Sequence, residues 1–120
     1  MKILLVDDDV FLRDMYAIKF KEHGDDVVTA ASGEEALQHV ASEVFDVIIM
    51  DMVMPAMTGI ELLMALKNVA NAKNAKCIVL SNQGEDTDIN LAYAQGAIGY
   101  IIKAASIPSE VVTKVHSLVS

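Results

Sequence analysis

The chain has 120 residues and a mass of 13.0 kDa, which fits one domain and leaves little room for a second. Apolar residues make up 53% and charged residues 22%, enough for a substantial core and against intrinsic disorder. Nine Lys plus Arg against seventeen Asp plus Glu give a formal net charge of -8, which disfavours direct nucleic-acid binding and an anionic membrane patch and favours cations and basic protein faces as partners.

The first buried-strand signal is Ile3-Leu4-Leu5-Val6. Three aspartates follow it at once, so no signal-peptide core forms, and no apolar run in the chain reaches membrane-spanning length. With Cys77 as the only cysteine, an internal disulfide framework is excluded, and the expected location is the cytoplasm. A helix is expected over 10–22 with Gly24 as its stop, then a weaker strand at Val27-Val28-Thr29-Ala30. Ser32 and Glu35 have capping-box spacing at the head of a helix over 33–42. Val47-Ile48-Ile49-Met50 is the third strand, and Thr58 with Glu61 repeats the capping box before a helix over 59–69. The stretch 68–76 reads as a frayed helix end and a surface loop.

Cys77 opens the fourth strand, Ile78-Val79-Leu80, as a packing residue. A helix over 86–94 stopped by Gly96, a strand over Ala97–Ile102 and a helix over 107–118 complete the chain. Pro108 suits the first turn of that last helix with Ser106 as its cap. Val111, Val115 and Leu118, with Val112 and Val119 beside them, make an apolar stripe. Five strand–helix units favour a parallel sheet covered on both faces. His23, His39 and His116 are widely spaced and show no metal-like cluster.

The chemistry falls at strand ends, where open parallel sheets build their sites. Asp7-Asp8-Asp9 follows the first strand and Asp51 ends the third. If those strands are neighbours, Asp8 and Asp51 converge, and their repulsion must be offset by hydrogen bonds, protonation or a cation. Magnesium suits such an oxygen-rich set and leaves coordination room for phosphate. Taken alone, the same acids could be solvated strand ends or helix caps, and Asp9 fits a cap well. Ser81 after the fourth strand and Lys103 after the fifth add a hydroxyl and a cation at the same end. A carboxylate nucleophile can become an acyl phosphate when such groups neutralise phosphoryl charge, and Asp51, at a central strand end, is the best candidate.

Val6-Asp7-Asp8, Asp51-Met52-Val53-Met54-Pro55 with Gly59, Leu80-Ser81, and Tyr100 three residues before Lys103 together resemble the receiver domain of two-component response regulators, including the single-domain chemotaxis type. The resemblance spans nearly the whole chain. It implies a flavodoxin-like, doubly wound α/β fold with a five-stranded parallel sheet of order 2-1-3-4-5, one receiver over residues 1–120 and no output domain in this chain. It implies that Asp51 is the phosphoacceptor and that Mg2+ is held by Asp8, Asp51 and the backbone carbonyl of Val53, with Asp7 acting largely through water. Ser81 and Lys103 would contact phosphoryl oxygens, and Lys103 would pair with Asp51 at rest. Tyr100 would follow Ser81 between exposed and inward positions, biasing the face made by the fourth helix, fifth strand and fifth helix. The implied partners are a sensor histidine kinase or phosphotransfer protein, a downstream effector protein and, on phosphorylation, a second copy in a homodimer. Enzymatic action would be limited to self-phosphorylation and hydrolysis of the phosphoryl group.

Three residues depart from the family pattern. Ala104 replaces the proline expected after Lys103, so a trans peptide is expected there. Asn82 stands where a small residue is usual, and the apolar Val53 cannot orient an attacking water, which favours slow dephosphorylation. These departures keep open an alternative, a degenerate receiver-like module that binds partners without phosphorylation. An aspartyl-phosphate hydrolase is a weaker alternative, because Asp51-Met52-Val53 lacks the second acid two residues on.

Overall fold

Alternate residues of a strand point to opposite faces of a sheet, so a strand that is apolar at every position must be covered on both sides. The computed structural model, which describes residues 1–82 and 84–120, shows this arrangement. The strands are β1 (Lys2–Val6), β2 (Asp26–Ala30), β3 (Val47–Met50), β4 (Lys76–Ser81) and β5 (Ala97–Ile102). They pair in parallel in the order β2-β1-β3-β4-β5. Between and after them lie α1 (Val10–Glu22), α2 (Gly33–Ser42), α3 (Gly59–Leu66), α4 (Asp86–Ala94) and α5 (Pro108–Val119).

Leu4, Val6, Ile48, Met50 and Val79 face one layer, where they pack with Ala36 and Val40 of α2, Leu62, Leu63 and Leu66 of α3, and Ala92 of α4. Ile3, Leu5, Val47, Ile49, Ile78 and Leu80 face the other, against Tyr16, Ala17 and Phe20 of α1 and Val111, Val112 and Val115 of α5. Both layers bury their contact residues almost completely. This is the doubly wound sheet expected, and its order reverses between β1 and β3, so the crevice at their carboxyl ends is the natural place for a ligand.

The helix starts follow local chemistry. Thr58 Oγ1 accepts from the Glu61 amide while Glu61 Oε1 accepts from the Thr58 amide, a complete capping box. Ser32 caps α2, but the Glu35 carboxylate accepts from the Ala31 amide instead. Gly24 and Gly96 end their helices at φ values of 102° and 105°, which a side chain would oppose.

Several expectations are corrected. α3 stops at Leu66, and a 3₁₀ turn at Ala70–Ala72 follows, seating Ala72 in the core. Ser106 does not cap α5: Ile107 holds the N-cap position, and Ser106 Oγ accepts from Lys114 Nζ at 2.5 Å. Leu118 is 41% exposed and lies across Gly99 of β5 rather than inside the stripe. Cys77 is partly buried among apolar neighbours, and burial pushes its thiol up to about 11, which leaves it unreactive near neutrality. His23 and His116 are not separate, since their rings stand 4.0 Å apart beside Asp25. Their closeness depends on the packing of α1 against α5, which residue spacing does not encode.

Candidate functional site

β1 and β3 are register-matched, with Val6 opposite Met50, so the residues just beyond them emerge side by side. The Asp7 amide donates to the Ala30 carbonyl and the Asp51 amide to the Val6 carbonyl, which prolongs the sheet by one residue at the crevice. Asp7 is buried. Its Oδ1 accepts from the Asp9 amide at 2.9 Å and its Oδ2 from Lys103 Nζ at 2.6 Å. Asp8 points outward and is exposed, and Asp9 turns away to cap α1 by accepting from the Leu12 amide at 3.1 Å.

Asp51 is mostly buried, its Oδ2 3.3 Å from Lys103 Nζ and its Oδ1 3.4 Å from the Val53 amide. One oxygen each from Asp7, Asp8 and Asp51 lies within 4.8 Å of the others. Three carboxylates against one ammonium leave this corner two charges negative when all are ionised. A cation would relieve that surplus, and every donor here is a hard oxygen.

The titration directions agree. Burial raises the Asp51 carboxyl above its ordinary value; Lys103 opposes the rise and Asp7 adds to it. Burial also works against the Lys103 ammonium, but the hydrogen bond to Asp7 and the field of Asp51 outweigh it and hold its pKa above 10.5. Lys103 therefore stays charged. It sits closer to Asp7 than to Asp51, so the expected resting pair with Asp51 is a shared one, weighted toward Asp7.

Lys103 begins a 3₁₀ turn, Lys103–Ala105, directly after β5, and no peptide among the described residues is cis. The lysine reaches both aspartates although Ala104 takes the usual proline position. Ser81 is buried at the end of β4, and Tyr100 is half-buried on the neighbouring strand β5. Burial raises the Tyr100 phenol, with the Ser81 hydroxyl opposing the rise. Asp51, Val53, Ser81, Asn82, Lys103 and Asp8 line a crevice of about 290 Å³. Asp7 lies beneath it, reached through Lys103.

Two backbone features shape the floor. A Cβ on Gly59 would meet the Asp51 carbonyl oxygen and stand 3.0 Å from Met52 Cα, so the first turn of α3 can press on the Asp51 segment only without a side chain. Ala56 holds a φ of 66°, where a Cβ is strained, and the Met57 amide closes the turn onto the Pro55 carbonyl at 2.7 Å. Residue reasoning missed Arg13, whose Nη1 donates to the Asp7 carbonyl at 3.0 Å. Its place one turn beyond the Asp9 cap was the available signal.

The response regulator receiver domain model matches residues 3–116. Among curated proteins, the chain is 38% identical over 96 residues to the transcriptional regulatory protein CpxR homolog of Haemophilus influenzae, covering 80% of this chain and 40% of that protein. It is 32% identical over 117 residues to the alkaline phosphatase synthesis transcriptional regulatory protein PhoP of Bacillus subtilis, covering 98% of this chain and 48% of that one. The chain thus spans less than half the length of these regulators. Among solved structures, the chemotaxis protein CheY4 of Vibrio cholerae superposes with a TM-score of 0.91 at 32% identity, over 98% of this chain and 97% of that one. A CheY-like receiver from Methanospirillum hungatei gives 0.89 at 26% identity, over 98% and 92%. With the family model covering nearly every residue, and the fold and the acidic crevice both in place, the chain belongs to the response regulator receiver domain family.

Proposed function

We propose that this receiver is a phosphorylation-activated switch in which Asp51 takes a phosphoryl group from the phosphohistidine of a sensor kinase or phosphotransfer protein. The observation that carries the reading is the meeting of Asp51 with Lys103, Asp7 and Asp8 in a solvent-open crevice at the topological switch point. In the transfer, an Asp51 oxygen forms the new O–P bond as the N–P bond to the donor imidazole breaks, and the electron pair leaves on that nitrogen. Bound Mg2+ would neutralise phosphoryl and carboxylate charge, held by Asp8, Asp51 and the Val53 carbonyl, with Asp7 behind them. The hard-oxygen donors and the two-charge surplus fit that ion.

Lys103 is held charged by Asp7 and stands 3.3 Å from Asp51, so it can pass to a phosphoryl oxygen without leaving the site. Ser81, lining the crevice beside Asn82, supplies a hydroxyl to another oxygen. Drawing Ser81 toward the phosphoryl group changes the surroundings of Tyr100 on the neighbouring strand. The motion then reaches a groove of about 420 Å³ lined by Tyr93, Tyr100, Ile102, Lys114 and Leu118, which is the α4-β5-α5 face. A downstream effector protein reads that face, and a second copy engaging it gives the phosphorylation-dependent homodimer. This is population shift of a two-state element driven by new local charge.

The experiment is amide NMR with Mg2+ and a fluoroberyllate phosphate mimic. Shifts are expected at Ser81, Tyr100 and along α4-β5-α5 in wild type and none in Asp51→Asn. Shifts confined to the crevice would reject coupling to that face, and equal shifts in the variant would reject Asp51 as the mimic's anchor.

A further inference from the structure

At the end of the sheet opposite the crevice, three side chains distant in sequence converge. His23 follows α1, Asp25 lies in the turn before β2, and His116 is in the last turn of α5. Asp25 Oδ2 is 2.6 Å from His116 Nε2 and 3.8 Å from His23 Nδ1. The imidazole centroids are 4.0 Å apart, tilted by 34°, and one donor atom from each residue lies within 4.8 Å of the other two. The Asp25 carboxylate is 3% exposed and its other oxygen faces the Met1 ammonium at 3.3 Å, while His23 is 52% exposed. One carboxylate oxygen therefore stands near two ring nitrogens in a corner most open to solvent on the His23 side.

We propose that His23 Nδ1, Asp25 Oδ2 and His116 Nε2 form a binding site for a borderline divalent transition-metal ion, with Zn2+ the best match. Zinc bonds to imidazole nitrogen and carboxylate oxygen of about 2.0–2.2 Å place adjacent ligands of a tetrahedron about 3.3 Å apart. The separations here, 2.6 and 3.8 Å, lie on either side of that value, so small ring rotations bring the donors into place. The ion sits between Asp25 and His116 in place of their present contact, and water from the His23 side fills the fourth place. Two imidazole donors disfavour Mg2+ and Ca2+, and the absence of sulfur among the three ligands disfavours Cu(I). Bound there, the ion ties the end of α1 and the start of β2 to α5. The site is independent of phosphorylation at Asp51.

The test uses untagged full-length protein in excess Mg2+, which occupies the oxygen-only crevice, titrated with Co2+ and then Zn2+. Wild type and Asp51→Asn are each expected to take up one equivalent of Co2+, with the visible absorption of a low-coordinate imidazole site, and to release it to Zn2+. His23→Ala is expected to weaken uptake at least tenfold, and His116→Gln likewise, each variant being checked as folded by its own metal-free thermal unfolding. No saturable one-to-one uptake by wild type would overturn the proposal. So would equal affinity in His23→Ala, or loss of uptake in Asp51→Asn with retention in His23→Ala.

Discussion

At the carboxyl end of the sheet Asp7 accepts from Lys103 at 2.6 Å, and at the opposite end Asp25 stands 2.6 Å from His116. Both acids are buried. Their surroundings differ in charge balance and in access. Asp25 is shared among a Met1 ammonium and two imidazoles, so its nitrogen partners outnumber the acid. Asp7 shares its one lysine with Asp51 while Asp8 stands beside them, so acids outnumber the cation. The first arrangement fastens α1 and β2 to α5. The second leaves unbalanced negative charge in a crevice of about 290 Å³, the condition under which a cation and a phosphoryl group together can be stabilised. A buried ion pair therefore does not mark a phosphoryl site by itself; the imbalance around it and its access do.

The comparison breaks most sharply at Lys103. Lys103→Met removes the ammonium paired with Asp7 at 2.6 Å, and uncovering a buried charge costs about 3 kcal/mol or more. Chemical denaturation without divalent ions should show that loss, and adding Asp7→Asn to Lys103→Met should restore much of it. If the single variant is as stable as wild type, the acids are not charged as described. Gly59→Ala comes next, because its Cβ would meet the Asp51 carbonyl and force backbone to move. A loss of about 1–3 kcal/mol is expected, together with slower phosphorylation.

Proton linkage sharpens the contrast further. Burial raises the Asp51 pKa, so the folded chain holds that proton more tightly than the unfolded chain. Stability from this group falls as pH rises from the ordinary value of 3.8 through the raised one, and ionised Asp51 is destabilising at neutral pH without a cation. Thermal melts in metal-free buffer should find Asp51→Asn more stable than wild type near pH 7, with the gap closing under acid. Mg2+ should then stabilise wild type more than the variant. Lys103 has the same sense in a higher pH window: its raised pKa gives stability that is fully present below 10.5 and is lost as pH climbs through the folded value. The smallest effect is at Ala56, whose φ of 66° suits glycine. Ala56→Gly should add up to about 1 kcal/mol by relieving the left-handed strain.

Much of this was legible in the residues. The apolar runs within β1, β3 and β4 require a sheet buried on both faces, and the acids at the ends of β1 and β3 meet because parallel neighbours end together. Family resemblance supplied the strand order. What stayed hidden depends on packing between distant elements. Lys103 favours Asp7 over Asp51 because of where its 3₁₀ turn leaves β5, and His23 meets His116 because α1 lies against α5. Ser106 has the residue type of a cap, but its hydroxyl is taken by Lys114 one helical face away. Leu118 fits the apolar stripe by spacing, yet Gly99 leaves it a surface groove to cover instead of a core position to fill.

The central claim is that Asp51 carries the phosphoryl group. Intact mass, followed by peptide mapping, after incubation with acetyl phosphate and Mg2+ tests it directly. Wild type is expected to gain one phosphoryl group on the peptide holding Asp51, and neither Asp51→Asn nor wild type stripped of divalent ions should gain it. A phosphorylated mass that persists unchanged in Asp51→Asn, or a wild type that no small donor or kinase can phosphorylate, would contradict the account.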